Sequence, residues 1–243
     1  VPPDTGAPWI DRCQQAMLLK LTAGKVTTTG DTTGLSNEFT GVKCGGLTAF
    51  TGPQAYYTVY LDGAQVYEVT LAPKFNAYYY VFSPAAFCQE KDIEKDCSSG
   101  GSTGDVSLLV NSGATQTITF QVPKSGYYYI GVDSAGPSDK GAFTLSIALE
   151  CSAYTNKCNT GVNVNGVCAA TPKTGSCTDE DPCTLNDQCT TDSSGLGVCK
   201  GTAKVCPGNT CNTGKCDASS GVCVTAPKTG TCDDGDKCTT GDT

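Results

Sequence analysis

The stretch that decides the fold is QTITFQVPKSGYYYIGVDSAGPSDKGAFTLSIALE, residues 116–150. It holds three runs rich in β-branched and aromatic residues, QTITFQV (116–122), YYYIGVD (127–133) and AFTLSIA (142–148), separated by Gly, Pro, Ser and Asp. Short runs of this composition bounded by turn residues read as half-buried strands. Working upstream, YYTVYL (56–61), QVYEVTL (65–71), YYYVF (78–82) and VSLLV (106–110) read the same way, and no long helical period intervenes. LDGA (61–64) and PKSG (123–126) carry tight-turn chemistry, which predicts that strands adjacent in sequence pair antiparallel. Seven or more short strands with frequent turns predict an all-β sandwich.

The composition splits the 243-residue chain in two. Residues 1–150 hold four of the 17 cysteines, ten of the eleven tyrosines, all seven phenylalanines and the only tryptophan, Trp9. Residues 151–243 hold 13 cysteines but only seven Val, two Leu and one Tyr as large apolar side chains, too few for an ordinary core. Cross-links must replace the missing burial, and such density persists as disulfide only in an oxidising, extracellular or cell-surface compartment. Zinc is disfavoured because the chain has no His and no C-x-x-C pair, only spacings such as Cys177, Cys183, Cys189 and Cys211, Cys216. With a net charge of -8 and one arginine, Arg12, there is no footprint for nucleic acid, and no apolar run predicts membrane insertion.

The order GDTTGLSNEFTG (30–41), Cys44, GPQAYYTVYLDGAQVYEVTLAP (52–73), KFNAYYYVFSPAAFC (74–88) and the closing 116–150 hairpin resembles the bacterial pre-peptidase C-terminal domain. The resemblance covers residues 13–150 and implies a jelly-roll-like, non-catalytic sandwich found on secreted enzymes and surface proteins. The chain departs from the family pattern in carrying Gln54 and Asn76 where members often have aspartate.

The tail contains a duplication. Residues 166–188 align with 221–243 at an offset of 55, with 13 identities in 23 positions, among them Cys168 with Cys223, Cys177 with Cys232 and Cys183 with Cys238. Further back, Cys151 and Cys158 are expected to correspond to Cys211 and Cys216, with Cys199 and Cys206 linking the copies. The units resemble Cys-rich CxDGxxCTxxDxC repeats that occur in tandem in bacterial surface proteins and in slime-mould-type extracellular repeats. The second copy stops one cysteine short, just beyond Thr243, and the cysteine total is odd, so further repeats are expected beyond 243. The domain reading is an arm at 1–12, a sandwich at 13–150 and an irregular disulfide-rich repeat region at 151–243.

Catalysis finds few materials here. Without His no Ser-His-Asp or Cys-His arrangement can form, and the cysteines are expected in bridges. The simplest pairing has Cys88 close on Cys97 around the charged loop QEKDIEKD, and Cys13 on Cys44. Asp179, Asp181 and Asp187, with Asp234, Asp236 and Asp242 in the second copy, are candidate Ca²⁺ ligands, hard oxygens at alternating spacing. The bland reading gives Asp and Gly the job of building turns. In YYYVF and YYYIGV alternate residues face opposite sides, so Tyr79 and Tyr128 are candidates for a recognition surface, with a structural aromatic ladder as the rival. No catalytic residue is assigned.

Together these features predict a non-catalytic extracellular structural or adhesive protein, a surface-fibre subunit or stalk tip. Its expected partners are further copies of itself, a surface partner or a glycan, with strand addition by residues 1–10 or by an open sheet edge as one route. The alternative is the accessory, carbohydrate-binding region of a larger secreted hydrolase.

Overall fold

The computed structural model describes residues 10–40, 51–83, 88–98 and 107–233. The chain divides into two compact units, one reaching Cys151 and including Asn163–Cys168, the other made of Ser152–Val162 and the chain from Ala169 onward.

The first unit contains strands β1 (Met17–Leu19), β2 (Lys25–Asp31), β3 (Gln54–Leu61), β4 (Val66–Pro73), β5 (Ala77–Phe82), β6 (Ser107–Val110), β7 (Gln116–Gln121), β8 (Gly126–Ser134) and β9 (Ala142–Glu150). They form a five-stranded sheet, β1-β3-β8-β5-β6, and a four-stranded sheet, β2-β9-β4-β7. All seven strands read from the sequence are there, preceded by β1 and β2. Within these two sheets the strands pair antiparallel, except β1 with β3, which is parallel.

The tight turns do not join paired neighbours, contrary to the sequence expectation. LDGA connects β3 in one sheet to β4 in the other, and PKSG connects β7 to β8, again across the sandwich. The two connections hold each other instead: Ala64 N–H donates to Val122 O, Val122 N–H to Gln65 O, and Gly63 N–H to Ser125 Oγ. Ala64 has φ +62°, a left-handed conformation that turns the chain toward the opposite sheet. Turn residues meet the needs of a hairpin and of an arch equally, so turn chemistry alone could not choose between them.

The core lies between the sheets, with Tyr57, Val59, Val69, Leu71, Tyr79, Val81, Ile130, Val132, Leu145 and Ile147 all essentially inaccessible. A second apolar layer covers part of the outer face of the five-stranded sheet, where Tyr56, Tyr78, Tyr80 and Phe82 meet Ile93, Cys13 and Cys88. This explains why all six residues of β5 are buried, a pattern that a sheet with one wet face does not give. Ile93 belongs to α1 (Glu90–Ser98), so the stretch read as a charged loop is a helix. Ile93 is buried while Lys91, Asp92 and Lys95 are exposed, and a single apolar residue is too short a stripe for periodicity to reveal.

Cys13 pairs with Cys88, correcting the expected Cys13–Cys44 and Cys88–Cys97 bridges. The bridge ties the 3-10 turn at Cys13–Gln15 to the residues just before α1. Cys44 and the side chain of Cys97 lie outside the described residues.

Beyond the sandwich, β10 (Asn159–Val164) pairs with β11 (Val167–Pro172), β12 (Thr184–Thr191) with β13 (Gly197–Ala203), and β14 (Asn212–Cys216) with β15 (Cys223–Pro227). The regular structure of the tail is therefore a series of two-stranded hairpins, more order than the sequence led us to expect. The tip of the first hairpin belongs to the sandwich unit, where Asn163 Nδ2 donates to Ala23 O and Cys151 bridges Cys168.

Candidate functional site

Two regions carry the side chains singled out by sequence: the five-stranded sheet and the stapled tail.

On the sheet, Tyr79 and Tyr128 are buried, 0% and 2% exposed, so they form no recognition surface. Each hydroxyl is used internally, Tyr79 donating to Val69 O and Gln116 O, Tyr128 to Lys124 O. Burial pushes the Tyr79 phenol up from its ordinary value. The exposed aromatics are on the other parity. Tyr60 and Tyr127 are register partners, 48% and 50% exposed, and pack edge to face with ring centroids 5.3 Å apart. Leu18, 58% exposed, sits on the same sheet.

At the other end of that outer face lies a buried polar cluster that sequence reasoning did not find. Gln54 and Asp133 are register partners and both fully buried. Gln54 Nε2 donates to Asp133 Oδ2 at 2.6 Å and to Phe39 O at 2.8 Å. Gln54 Oε1 accepts from the backbone N–H groups of Glu38 and Phe39 and from the Tyr56 hydroxyl, which lies 3.2 Å from the Tyr80 hydroxyl. Gln54 thus fastens the 38–39 segment onto the sheet through both ends of its amide. Among the described residues Asp133 Oδ1 has no hydrogen-bond partner. Burial holds the Asp133 carboxyl well above the usual carboxylate range, although the Gln54 bond acts the other way. The only signal in the sequence was an acidic residue closing an otherwise apolar strand. Asn76, the other departure from the family pattern, accepts from Ser112 N–H and donates to Asp139 Oδ1.

In the tail, Asp179 and Asp181 in the loop before β12 come together with Asp187 on β12, as hydrogen-bond acceptors. Asp179 Oδ1 accepts from Asp181 N–H and the Thr184 hydroxyl, and its Oδ2 from Gly201 N–H. Asp181 Oδ1 accepts from Cys183 N–H, and Asp187 Oδ2 from Asp179 N–H. These four oxygens face donors, as turn construction requires, while Asp187 Oδ1 is buried with no hydrogen-bond partner among the described residues. Asp234, Asp236 and Asp242 lie outside the described residues. Asp217 plays the same part, capping Ser219 and Ser220 through their N–H groups and hydroxyls, and these bonds lower its carboxyl to about 2.

The cysteines read from Cys151 to Cys232 are all bridged: Cys151–Cys168, Cys158–Cys189, Cys177–Cys199, Cys183–Cys216, Cys206–Cys223 and Cys211–Cys232. Cys238 lies outside the described residues. The separation of 17 in both Cys151–Cys168 and Cys206–Cys223 makes Cys206, not Cys211, the counterpart of Cys151. Cys211 matches Cys158: each N–H donates to an asparagine two residues earlier, Asn209 or Asn156, and each carbonyl accepts from a lysine N–H, Lys228 or Lys173. The repeated CNTG at 158–161 and 211–214 was the sequence signal for this alignment.

The bridges span overlapping loops, so every residue between Cys151 and Cys232 lies inside at least one closed ring. Consecutive hairpins are joined covalently, with Cys183 at the start of β12 bonded to Cys216 at the end of β14. Such oxidation places the protein in an extracellular or cell-surface setting. No helix among the described residues is long and apolar enough to cross a membrane.

No protein-family model matches the sequence, and no curated protein does. Among solved structures, the chain is similar to a periplasmic inhibitor of g-type lysozyme from Aeromonas hydrophila, at 14% identity over 56% of this chain and 97% of that one, with a TM-score of 0.33. It is also similar to the pre-peptidase C-terminal domain of a Bacillus anthracis collagenase, at 12% identity over 54% and 93% of the chains, with a TM-score of 0.32. A surface-associated copper-binding protein of Methylomicrobium album BG8 matches at 10% identity over 56% and 98%, with a TM-score of 0.35. No function is carried to this chain from likenesses of this size.

Proposed function

We propose that this chain is a non-catalytic structural or adhesive protein of the extracellular surface, a fibre subunit or stalk tip in which a β-sandwich head is carried on a disulfide-stapled spacer. The observation that supports this reading is the unbroken overlap of the rings. A single cut anywhere between Cys151 and Cys232 leaves both fragments covalently attached, and tension bypasses most of the backbone. The shortest covalent route runs from Cys151 to Cys158, across to Cys189, back to Cys183, across to Cys216, back to Cys211 and across to Cys232. It uses about 18 of the 81 residue steps of that segment.

Pulling single molecules from both ends tests this. At ~3.6 Å per extended residue, the oxidised segment is expected to lengthen to about 80 Å at most, and the reduced segment to roughly 290 Å. Equal lengths before and after reduction would remove the mechanical role. Electron micrographs of native material showing fibres or stalks would support the assembly itself, and micrographs showing only free monomers would count against it.

A second reading, sugar contact by an accessory region of a larger secreted hydrolase, is favoured by the exposed Tyr60–Tyr127 pair. Aromatic faces stack on sugar rings, and each contributes an apolar body with a polar tip. If that reading holds, Tyr60→Ala with Tyr127→Ala abolishes retention on an immobilised polysaccharide that the parent chain binds, while Tyr79 and Tyr128 keep the sandwich folded. A parent chain that no glycan retains would eliminate it.

A further inference from the structure

Among the described residues, β2 is the longest sheet edge of the sandwich and leaves a row of backbone groups without backbone partners. Gly24 O accepts from Leu149 N–H and Thr32 N–H donates to Gly141 O, so the even-numbered residues here turn their backbone groups toward β9. Lys25 exchanges both of its bonds with Thr22 on the opposite side. Alternation along a strand then aims the N–H and C=O of Thr27, Thr29 and Asp31 away from the sheet. Among the described residues these six groups meet only one donor, the Thr28 hydroxyl, 3.4 Å from Thr29 O.

Native edges are usually guarded by proline, a bulge or a charge at mid-strand. β2 has none of these. Its ladder runs without a break from Lys25↔Ala148 to Asp31↔Ala142, and its only charges stand at its two ends with opposite signs.

We propose that β2 pairs antiparallel with β2 of a second copy of this chain, about a two-fold axis at Thr29. In this register Thr29 faces Thr29 of the second copy, and Thr27 faces its Asp31. Lys25 then lies diagonally across from that Asp31, within reach of long side chains. All twelve outward groups of the two strands are satisfied by six hydrogen bonds. The exposed residues Lys25, Thr27, Thr29 and Asp31 share one face, and the half-buried Val26, Thr28 and Gly30 share the other, as an antiparallel pair requires.

Neighbouring registers fail on the same observations. An axis at Thr28 would set the second copy's Asp31 onto Thr22, whose backbone already occupies that side of Lys25. An axis between residues would put exposed positions opposite half-buried ones. The four-stranded sheets of the two copies thus continue as one sheet of eight strands, and the symmetric interface closes as a dimer. The competing occupant, the arm at residues 1–9, holds Pro2, Pro3 and Pro8, which lack the N–H that an added strand must supply. The pairing goes beyond the surface role and does not depend on it.

Sedimentation equilibrium of the oxidised full chain tests the proposal. The parent is expected at twice its 25.0 kDa mass. Thr29→Pro should give the monomer with unchanged circular dichroism and melting, because the N–H it removes points out of the ladder and proline is tolerated on such an edge. Should that variant misfold, the charges decide: Lys25→Asp and Asp31→Lys should each weaken association about tenfold, since symmetry uses the pair twice, and the double exchange should restore it. A parent that stays monomeric across the concentration range, a dimer indifferent to all these changes, or a dimer lost on deleting residues 1–9 would overturn the pairing. A chain that dimerises this way yet forms no fibre or stalk keeps the pairing and discards the surface role.

Discussion

Full reduction of the protein is expected to unfold the tail at 25 °C while the sandwich stays folded. The tail has little else to hold it: all of β15 is exposed, β12 has no buried residue, and Val205 is 89% exposed. Its hairpins are two-stranded, and such ladders are marginal in water without a face to bury. The six bridges from Cys151 onward close loops with separations of 17 to 33 residues. By chain entropy each contributes about 3 to 4 kcal/mol taken alone, and less in sum because the rings overlap. Without them, backbone ordering at about 1 to 2 kcal/mol per residue is unopposed. The sandwich loses the Cys13–Cys88 bridge, which closes a separation of 75 and is worth about 4 kcal/mol, but keeps its apolar core. Its melting temperature should therefore fall by roughly 10 to 15 °C without loss of the fold. Amide spectra with and without reductant check both halves. Signals of residues 169–233 should collapse to random-coil positions, and those of β3, β8 and β9 should keep their dispersion. A tail that stays dispersed after complete reduction would show that something other than disulfides holds it.

How far the sequence carried this structure depended on what each signal could distinguish. Strands were legible because β-branched and aromatic runs report burial on a pleated surface, and β3 to β9 fall where those runs lie. Sheet membership was not legible, since LDGA and PKSG suit a hairpin and an arch equally. Alternation alone sets Tyr79 and Tyr128 opposite their flanking tyrosines, whereas the meeting of Tyr60 with Tyr127 depends on the register of β3 with β8. Period-2 reasoning separates two faces but does not say which of them is wet. The partner of Cys13 was hidden for a different reason: closing Cys88 on the nearby Cys97 left Cys44 for Cys13, whereas the fold brings Cys88, just before α1, to the turn at Cys13–Gln15, a separation of 75 residues. The buried pair of Gln54 and Asp133 depends on residues 79 apart in sequence meeting across β3 and β8, which no local pattern encodes.

Asp133→Asn should stabilise the sandwich at neutral and alkaline pH and remove a downward slope in its stability. The side chain is fully buried, and among the described residues Oδ2 has a single donor, Gln54, and Oδ1 has none. An ionised carboxylate in that position is poorly compensated, so burial raises its pKa and the folded protein keeps the proton. The nearby Tyr56 and Tyr80 hydroxyls, whose pKa values are raised chiefly by burial, stay neutral and offer no positive charge. In the unfolded chain the carboxyl titrates near its ordinary value of about 4. Above that pH the unfolded state has released a proton that the folded state still holds. Unfolding then releases a proton, and stability falls as pH rises, by about 1.4 kcal/mol per unit, until the folded carboxyl itself ionises. The carboxylates with lowered pKa, Asp11 and Asp31 in the same unit, act in the opposite sense and lose their contribution only in acid. Maximum stability of the sandwich is therefore expected at mildly acidic pH. Asparagine keeps an acceptor for Gln54 and carries no ionisable proton, so denaturant unfolding of the variant should be flat where the parent declines. The gain should be small near pH 4 and grow as pH rises. A parent whose stability rises from pH 4 to 8, or a variant less stable than the parent at pH 8, would mean that Asp133 is ionised and paired in the folded protein.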